Sequence, residues 1–223
     1  MKNIIWISKI LVCLLIVSGC QQQTDKVQQY QTNYEIIGDE RDDIIGEISN
    51  TIYDSIDRNN SEATEMMIDV IDQYGETIIL PRGRYHISGH AAGTVEITDK
   101  QGKELMNEVY GGSVHGITVD LNGEHAVHID GFDEVFITPV ETQITKELHA
   151  GIWEVGKDIA PGKYIASGYG LGYIQIFEHG STPRVFEIIG GLSETKVELD
   201  LKKNQKMKII GVSQITLDEY DQK

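Results

Sequence analysis

Two hydrophobic periods divide the chain. Ile44, Ile45, Ile48, Ile52 and Ile56 recur at the spacing of one helix face, and Ala63, Met66, Met67, Val70, Ile71 and Tyr74 repeat that spacing after the polar break Arg58-Asn59-Asn60. This predicts an acidic helical pair over residues 36–75, with Asn60 or Ser61 capping the second helix and Gly75 ending it. Beyond Gly75 apolar and polar residues alternate, the pattern of strands with one face in a core.

The alternating part is written twice. Pro81-Arg82-Gly83-Arg84-Tyr85 returns as Pro161-Gly162-Lys163-Tyr164, and Glu108-Val109-Tyr110-Gly111-Gly112 as Glu187-Ile188-Ile189-Gly190-Gly191. Ile117, Val119, Leu121, Val127, Ile129, Val135 and Ile137 fall on Val197, Leu199, Leu201, Met207, Ile209, Ile215 and Leu217, with Asp120 on Asp200 and Gly131 on Gly211. Turn formers stand where strands must reverse, at Asn122-Gly123 and Lys203-Asn204 among others. The expected fold is therefore mainly β with an N-terminal helical pair, followed by two tandem antiparallel β-sandwich-like modules from an internal duplication, at 76–140 and 149–219. A module of this size has a marginal core alone, so the two should pack on each other or on the helices.

Charge and cysteines narrow the setting. The formal net charge is −16, and becomes −18 if Lys2 and Lys9 are removed with a leader; such a surface repels phosphate backbones, so nucleic acid is not an expected partner. Residues 35–72 hold 12 acidic side chains against Arg41 and Arg58, which reads as a solvated face. The two cysteines, Cys13 and Cys20, lie in or at the end of the leader-like segment, which leaves no disulfide and no cysteine metal site for the remainder. After Cys20 no apolar stretch approaches the roughly 18 residues of a membrane-spanning helix.

Residues 1–19 carry basic Lys2 and Lys9, an uncharged run over 10–17, and small Ser18 and Gly19, the layout of a secretory signal. Val17-Ser18-Gly19-Cys20 resembles the lipobox of bacterial lipoproteins, although leucine is commoner where Val17 stands. The resemblance implies cleavage before Cys20, lipidation of its thiol, and a protein held to the extracytoplasmic face of the cell membrane, with residues 20–35 as a flexible tether. Trp153-Glu154-Val155-Gly156-Lys157-Asp158-Ile159-Ala160-Pro161-Gly162-Lys163-Tyr164 resembles a W-x-V-G-x-D-I-x-x-G-x-Y segment, often repeated in exported and lipid-anchored proteins of Gram-positive bacteria. The likeness is strong over 151–217 and weaker over 76–139, and implies an envelope setting without a reaction.

Candidate chemistry is sparse. His125 and His128 stand three apart on a strand, which points them to opposite faces, and His86, His90, His115, His149 and His179 show no ligand spacing; no metal site and no cofactor is expected. No Gly-x-Ser-x-Gly elbow, phosphate-cradling loop or dinucleotide fingerprint appears, and no catalytic residue is assigned. Asp120 and Asp200, between inward-facing neighbours, should face solvent. Tyr169 and Tyr173, on the glycine-rich turn Tyr169-Gly170-Leu171-Gly172-Tyr173, are the candidate ligand contacts. The expected function is a non-catalytic, lipid-anchored binding or interaction scaffold whose partner is wall polymer or a surface protein. The alternatives are a carboxylate-dependent envelope hydrolase and an immunity or inhibitor-type lipoprotein that presents its acidic helices.

Overall fold

A computed structural model describes residues 25–69, 71, 74–191 and 195–220. Cys20, the leader-like segment before it and Val70 lie outside the described residues. The fold is mainly β with two helices near the N-terminus, α1 (residues 25–33) and α2 (Asp39–Ile45), joined through the short strand β1 (Glu35–Ile36). No helix among the described residues is long and apolar enough to cross a membrane.

The helices are not where the isoleucine spacing puts them. Gly46, at φ 62°, closes α2 after Ile45, and Ser49 caps a short 3-10 turn, Asn50–Tyr53, that sinks Ile52 into the core. The second expected helix is replaced over Met66–Asp69 by strand β2, which pairs with an open sheet edge and buries only Ile68. A row of unpaired backbone groups on that edge outweighs a helical spacing built from a few residues. Residues 25–33, placed in the expected tether, are helical and docked: the Tyr30 hydroxyl donates to Glu187, and Asn33 bonds the backbone of Glu198. The Glu187 contact pushes the Tyr30 pKa up to about 12.

The rest is one eight-stranded pattern made twice. The first unit contains β2, β3 (Glu76–Ile79), β4 (Gly83–His90), β5 (Gly93–Thr98), β6 (Glu104–Tyr110), β7 (Gly116–Leu121), β8 (Ala126–Asp130) and β9 (Glu134–Pro139). The second contains β10 (Glu147–Leu148), β11 (Gly151–Glu154), β12 (Gly162–Phe177), β13 (Arg184–Ile189), β14 (Val197–Leu201) and β15 (Lys206–Glu219). In the first, β2-β9-β4-β7 and β3-β8-β5-β6 form two separate four-stranded runs. In the second, β12 does the work of β4 plus β5 and β15 that of β8 plus β9, each long strand passing from one layer to the other.

The registers agree residue by residue. Gly83 faces Leu121 as Gly162 faces Leu201, Tyr85 faces Val119 as Tyr164 faces Leu199, Ile87 faces Ile137 as Ala166 faces Leu217, and Thr94 faces Asp130 as Tyr173 faces Ile210. Val119 and Leu199 both point inward, and Gly131 and Gly211 both take left-handed φ, 82° and 75°. One strand departs: Thr94 faces Val109, whereas Tyr173 faces Glu187, so β13 is slipped by one residue against the match of Glu108 with Glu187 read from sequence.

The two units share a joint. β11 pairs in parallel with β7 at Gly151 and Thr118, and the first unit's core takes in Ala150, Ile152 and Phe177 of the second. The Glu108 carboxylate accepts the Gly211 N–H at 3.0 Å across the same boundary, and burial raises its pKa.

Candidate functional site at the junction of the two units

Close contact at the joint depends on Gly151. A Cβ there would stand 2.2 Å from the Thr118 carbonyl oxygen, and the residue's φ of 141° is one that side-chain-bearing residues rarely adopt. With no side chain in the way, the Thr118 N–H reaches the Ala150 carbonyl at 3.1 Å. The turn after β11, residues 155–161, is longer than its first-unit counterpart, residues 80–82, and its extra length places Asp158 beneath the joint. There the Asp158 carboxylate receives the Glu154 N–H at 2.8 Å.

A buried charge cluster fills the space behind. Arg58, in the irregular segment 54–60, bonds Asp120 from Nε and Nη2 at 2.9 and 2.7 Å and Asp158 from Nη1 at 2.8 Å. Arg84, 1% exposed, donates to Asp120 at 3.0 Å; its Nη2 lies 3.0 Å from Asp158 without hydrogen-bond alignment, so that contact is electrostatic alone. Next to them Glu154 binds Lys206 at 2.6 Å and Ser55 at 2.7 Å. Burial penalises the Arg58 guanidinium, yet Asp120 and Asp158 more than offset it and raise its pKa. Burial likewise works against the Glu154 carboxylate, and bonds from Lys206 and Ser55 hold it below the usual range. Burial lowers Lys206. Asp120, expected to face solvent, is thus enclosed by two guanidinium groups, while Asp200 is exposed as expected.

Above this cluster a cleft of about 360 Å³ opens between the units. Its floor is Arg84, Thr118, Trp153 and Asp158; His86 and His149 form its walls, and exposed Glu141, Gln143 and Glu147 its rim. The Thr118 hydroxyl sits between the histidines, 2.7 Å from His149 Nε2 and 3.2 Å from His86 Nδ1, and the rings meet edge to face at 5.0 Å. Trp153 Nε1 donates to the His149 carbonyl at 2.9 Å, and the Arg84 guanidinium carbon lies 5.1 Å over the Trp153 ring. Burial pushes the His149 pKa down to about 4, helped by His86 and Arg84, and burial lowers His86 too. Both rings are therefore neutral at pH 7, hydrogen-bonding walls beside a buried cation.

The expected contact residues lie elsewhere. Tyr169 is 69% exposed, but it belongs to continuous strand β12, where the register slips at Gly170, and not to a turn. Glycines let that strand bend between layers instead of reversing. Tyr173 is half-buried, and burial, with Glu187 and Glu40 nearby, raises its pKa. Of the histidine pair, His125 is buried and bonds Thr51 at 2.9 Å, whereas His128 meets Thr77 on the outer face of β8. Among the described residues no three His, Cys, Asp or Glu groups gather so as to hold a metal ion.

His86, Thr118, His149 and Arg84 escape a search by local spacing because the site is made across the joint. A signal for three of them exists in the repeat: at Arg84 against Lys163, His86 against Ile165 and Thr118 against Glu198 the two copies part company. Comparison with protein-family models and with curated proteins gives no match.

Proposed function

We propose that the chain is a lipid-anchored, extracytoplasmic binding protein of the cell envelope that works without catalysis, and that the junction cleft is its ligand site. The observation that carries this reading is the cleft itself: concave, at the meeting of the two units, with an arginine floor, two neutral imidazoles and a shared hydroxyl converging on one space. The convergence of Asp120, Asp158 and Glu154 gives no hydrolase pair, because all three are spent on Arg58, Arg84 and Lys206. A His149 ring with its pKa near 4 is a poor general base at neutral pH. The lipobox-like Val17-Ser18-Gly19-Cys20 supports the anchor and the address.

Trp153 makes the test direct. The chain has two tryptophans, and Trp6 lies in the leader-like segment, so Trp153 alone reports on the cleft in the mature protein. Titration with soluble fragments of purified cell wall should shift its emission saturably, and Thr118→Val with His149→Ala should abolish the shift while the protein stays folded. A saturable shift that survives both substitutions would remove the cleft from the account. For the anchor, Cys20→Ala should end incorporation of labelled palmitate; continued labelling would refute lipidation at that residue.

A further inference from the structure

β7 and β14 are the same strand in two copies of one unit, and their outer edges have different occupants. On β7, Thr118 receives the backbone of Ala150 and Gly151, and the outward carboxylate one step along, Asp120, receives Arg58 from the segment between the 3-10 turn and β2. On β14, Glu198 stands at the Thr118 position and Asp200 at the Asp120 position. Among the described residues no strand adds to this edge. Instead the Asn33 side chain occupies it: Asn33 Oδ1 accepts the Glu198 N–H at 2.6 Å, and Asn33 Nδ2 donates to the Glu198 carbonyl at 2.9 Å. A primary amide with one donor and one acceptor in this placement copies a single peptide unit of an incoming strand.

We propose that the β14 edge is a docking edge for an extended, arginine-bearing segment of a partner protein, which adds as a strand where Asn33 now holds the place. The backbone of Glu198 supplies the pairing. The carboxylates of Glu198 and Asp200, both exposed, supply the charge preference, since Val197, Leu199 and Leu201 point into the core. Asp120 shows the preference within the same fold, because it takes two guanidinium groups. Asp200 makes no ion pair within 4.0 Å among the described residues: its cross-strand neighbour Lys163 stands where Arg84 reaches Asp120 but makes no such pair, and Arg184, which feels the Asp200 charge, is paired with Glu35. Lys196, Lys202 and Lys203 flank the strand and confine the acidic stretch to two residues, which selects a short segment. A second copy of this chain is a poor occupant. The first-unit counterpart of Gly151 is Glu76, whose side chain would obstruct the close approach made at the joint.

The test uses the folded protein and a capped peptide, Thr-Arg-Val-Arg-Val-Arg-Thr, followed by fluorescence anisotropy of a dye on the peptide. The Asn33→Ala protein should bind it about tenfold more tightly than the unsubstituted protein. Adding Glu198→Lys and Asp200→Lys should remove that binding. The same peptide N-methylated at alternate amides keeps its charge but cannot pair as a strand, and should not bind. Equal affinity for the methylated peptide would reduce the contact to diffuse attraction by an acidic protein and overturn the proposal. Equal affinity of Asn33→Ala and the unsubstituted protein would overturn it as well. If Asn33→Ala does not fold by circular dichroism, the neutral Asn33→Ser, whose shorter side chain cannot bridge both the Glu198 N–H and its carbonyl, serves in its place.

Discussion

β7 and β14 occupy one position in two copies of one unit, yet the first is enclosed in a joint and the outer edge of the second has, among the described residues, only α1 and Arg184 beside it, with Asn33 bonding the Glu198 backbone. Their inward residues are interchangeable, Ile117, Val119 and Leu121 against Val197, Leu199 and Leu201, all buried. The outward positions and their neighbours decide the difference. Arg84 against Lys163, Thr118 against Glu198, and the longer turn that brings Asp158 under Asp120 turn a sheet edge into an interface. The lesson is that a duplicated fold needs only a few altered side chains on one edge to become a joint, and that the polar groups recruited to the joint also build its cleft.

The aspartates provide the sharpest contrast. Asp120→Ala leaves two buried guanidinium groups without their main partner and should cost about 3–5 kcal/mol, read from urea unfolding. Asp200→Ala, at the equivalent position, should stay within about 0.5 kcal/mol. Equal costs would mean that the edges are not as different as their surroundings imply. Leu199→Ala should cost about 2–4 kcal/mol, because Leu199 is buried where Val119 is buried in the other copy; a value near zero would detach β14 from the repeated core.

The joint should also respond to acid. His149 has its folded pKa near 4, against 6.5 for the free side chain, so in this interval the unfolded chain takes up the proton first. Stability supplied by the neutral ring is complete above about pH 6.5 and drains away as pH falls toward 4, by up to roughly 3 kcal/mol, with His86 acting in the same direction. Urea midpoints measured across that range should fall in the unsubstituted protein and fall less in His149→Asn. A parallel decline in both would place the titration elsewhere.

Much of this architecture is legible in sequence. Alternating apolar residues and matched glycines report the unit twice, because strand faces and turns impose local patterns that survive duplication. The helix expected over residues 63–74 fails because its spacing rests on few residues, and the open edge of β9 claims Met66–Asp69 for a strand. The cleft is hidden for a different reason. Thr118 and His149 meet only through a parallel contact between units, and Arg58 reaches Asp120 from a segment 62 positions away, distances over which spacing carries no information. Tyr169 and Tyr173 drew attention through the glycines around them, which serve the bend of β12.

Native-state hydrogen exchange at two amides tests the contrast of the edges most directly. The Thr118 N–H is bonded to the Ala150 carbonyl inside the joint, and the Glu198 N–H to the Asn33 side chain at an exposed edge. In the unsubstituted protein Thr118 should exchange only when the joint opens, and Glu198 far sooner. Asn33→Ala, at a cost of about 0.5–1.5 kcal/mol, should then speed exchange at Glu198 by tenfold or so and leave Thr118 unchanged. Equal protection of the two amides, or a change at Thr118 that matches the change at Glu198, would contradict the account of one edge joined and the other held by a single side chain.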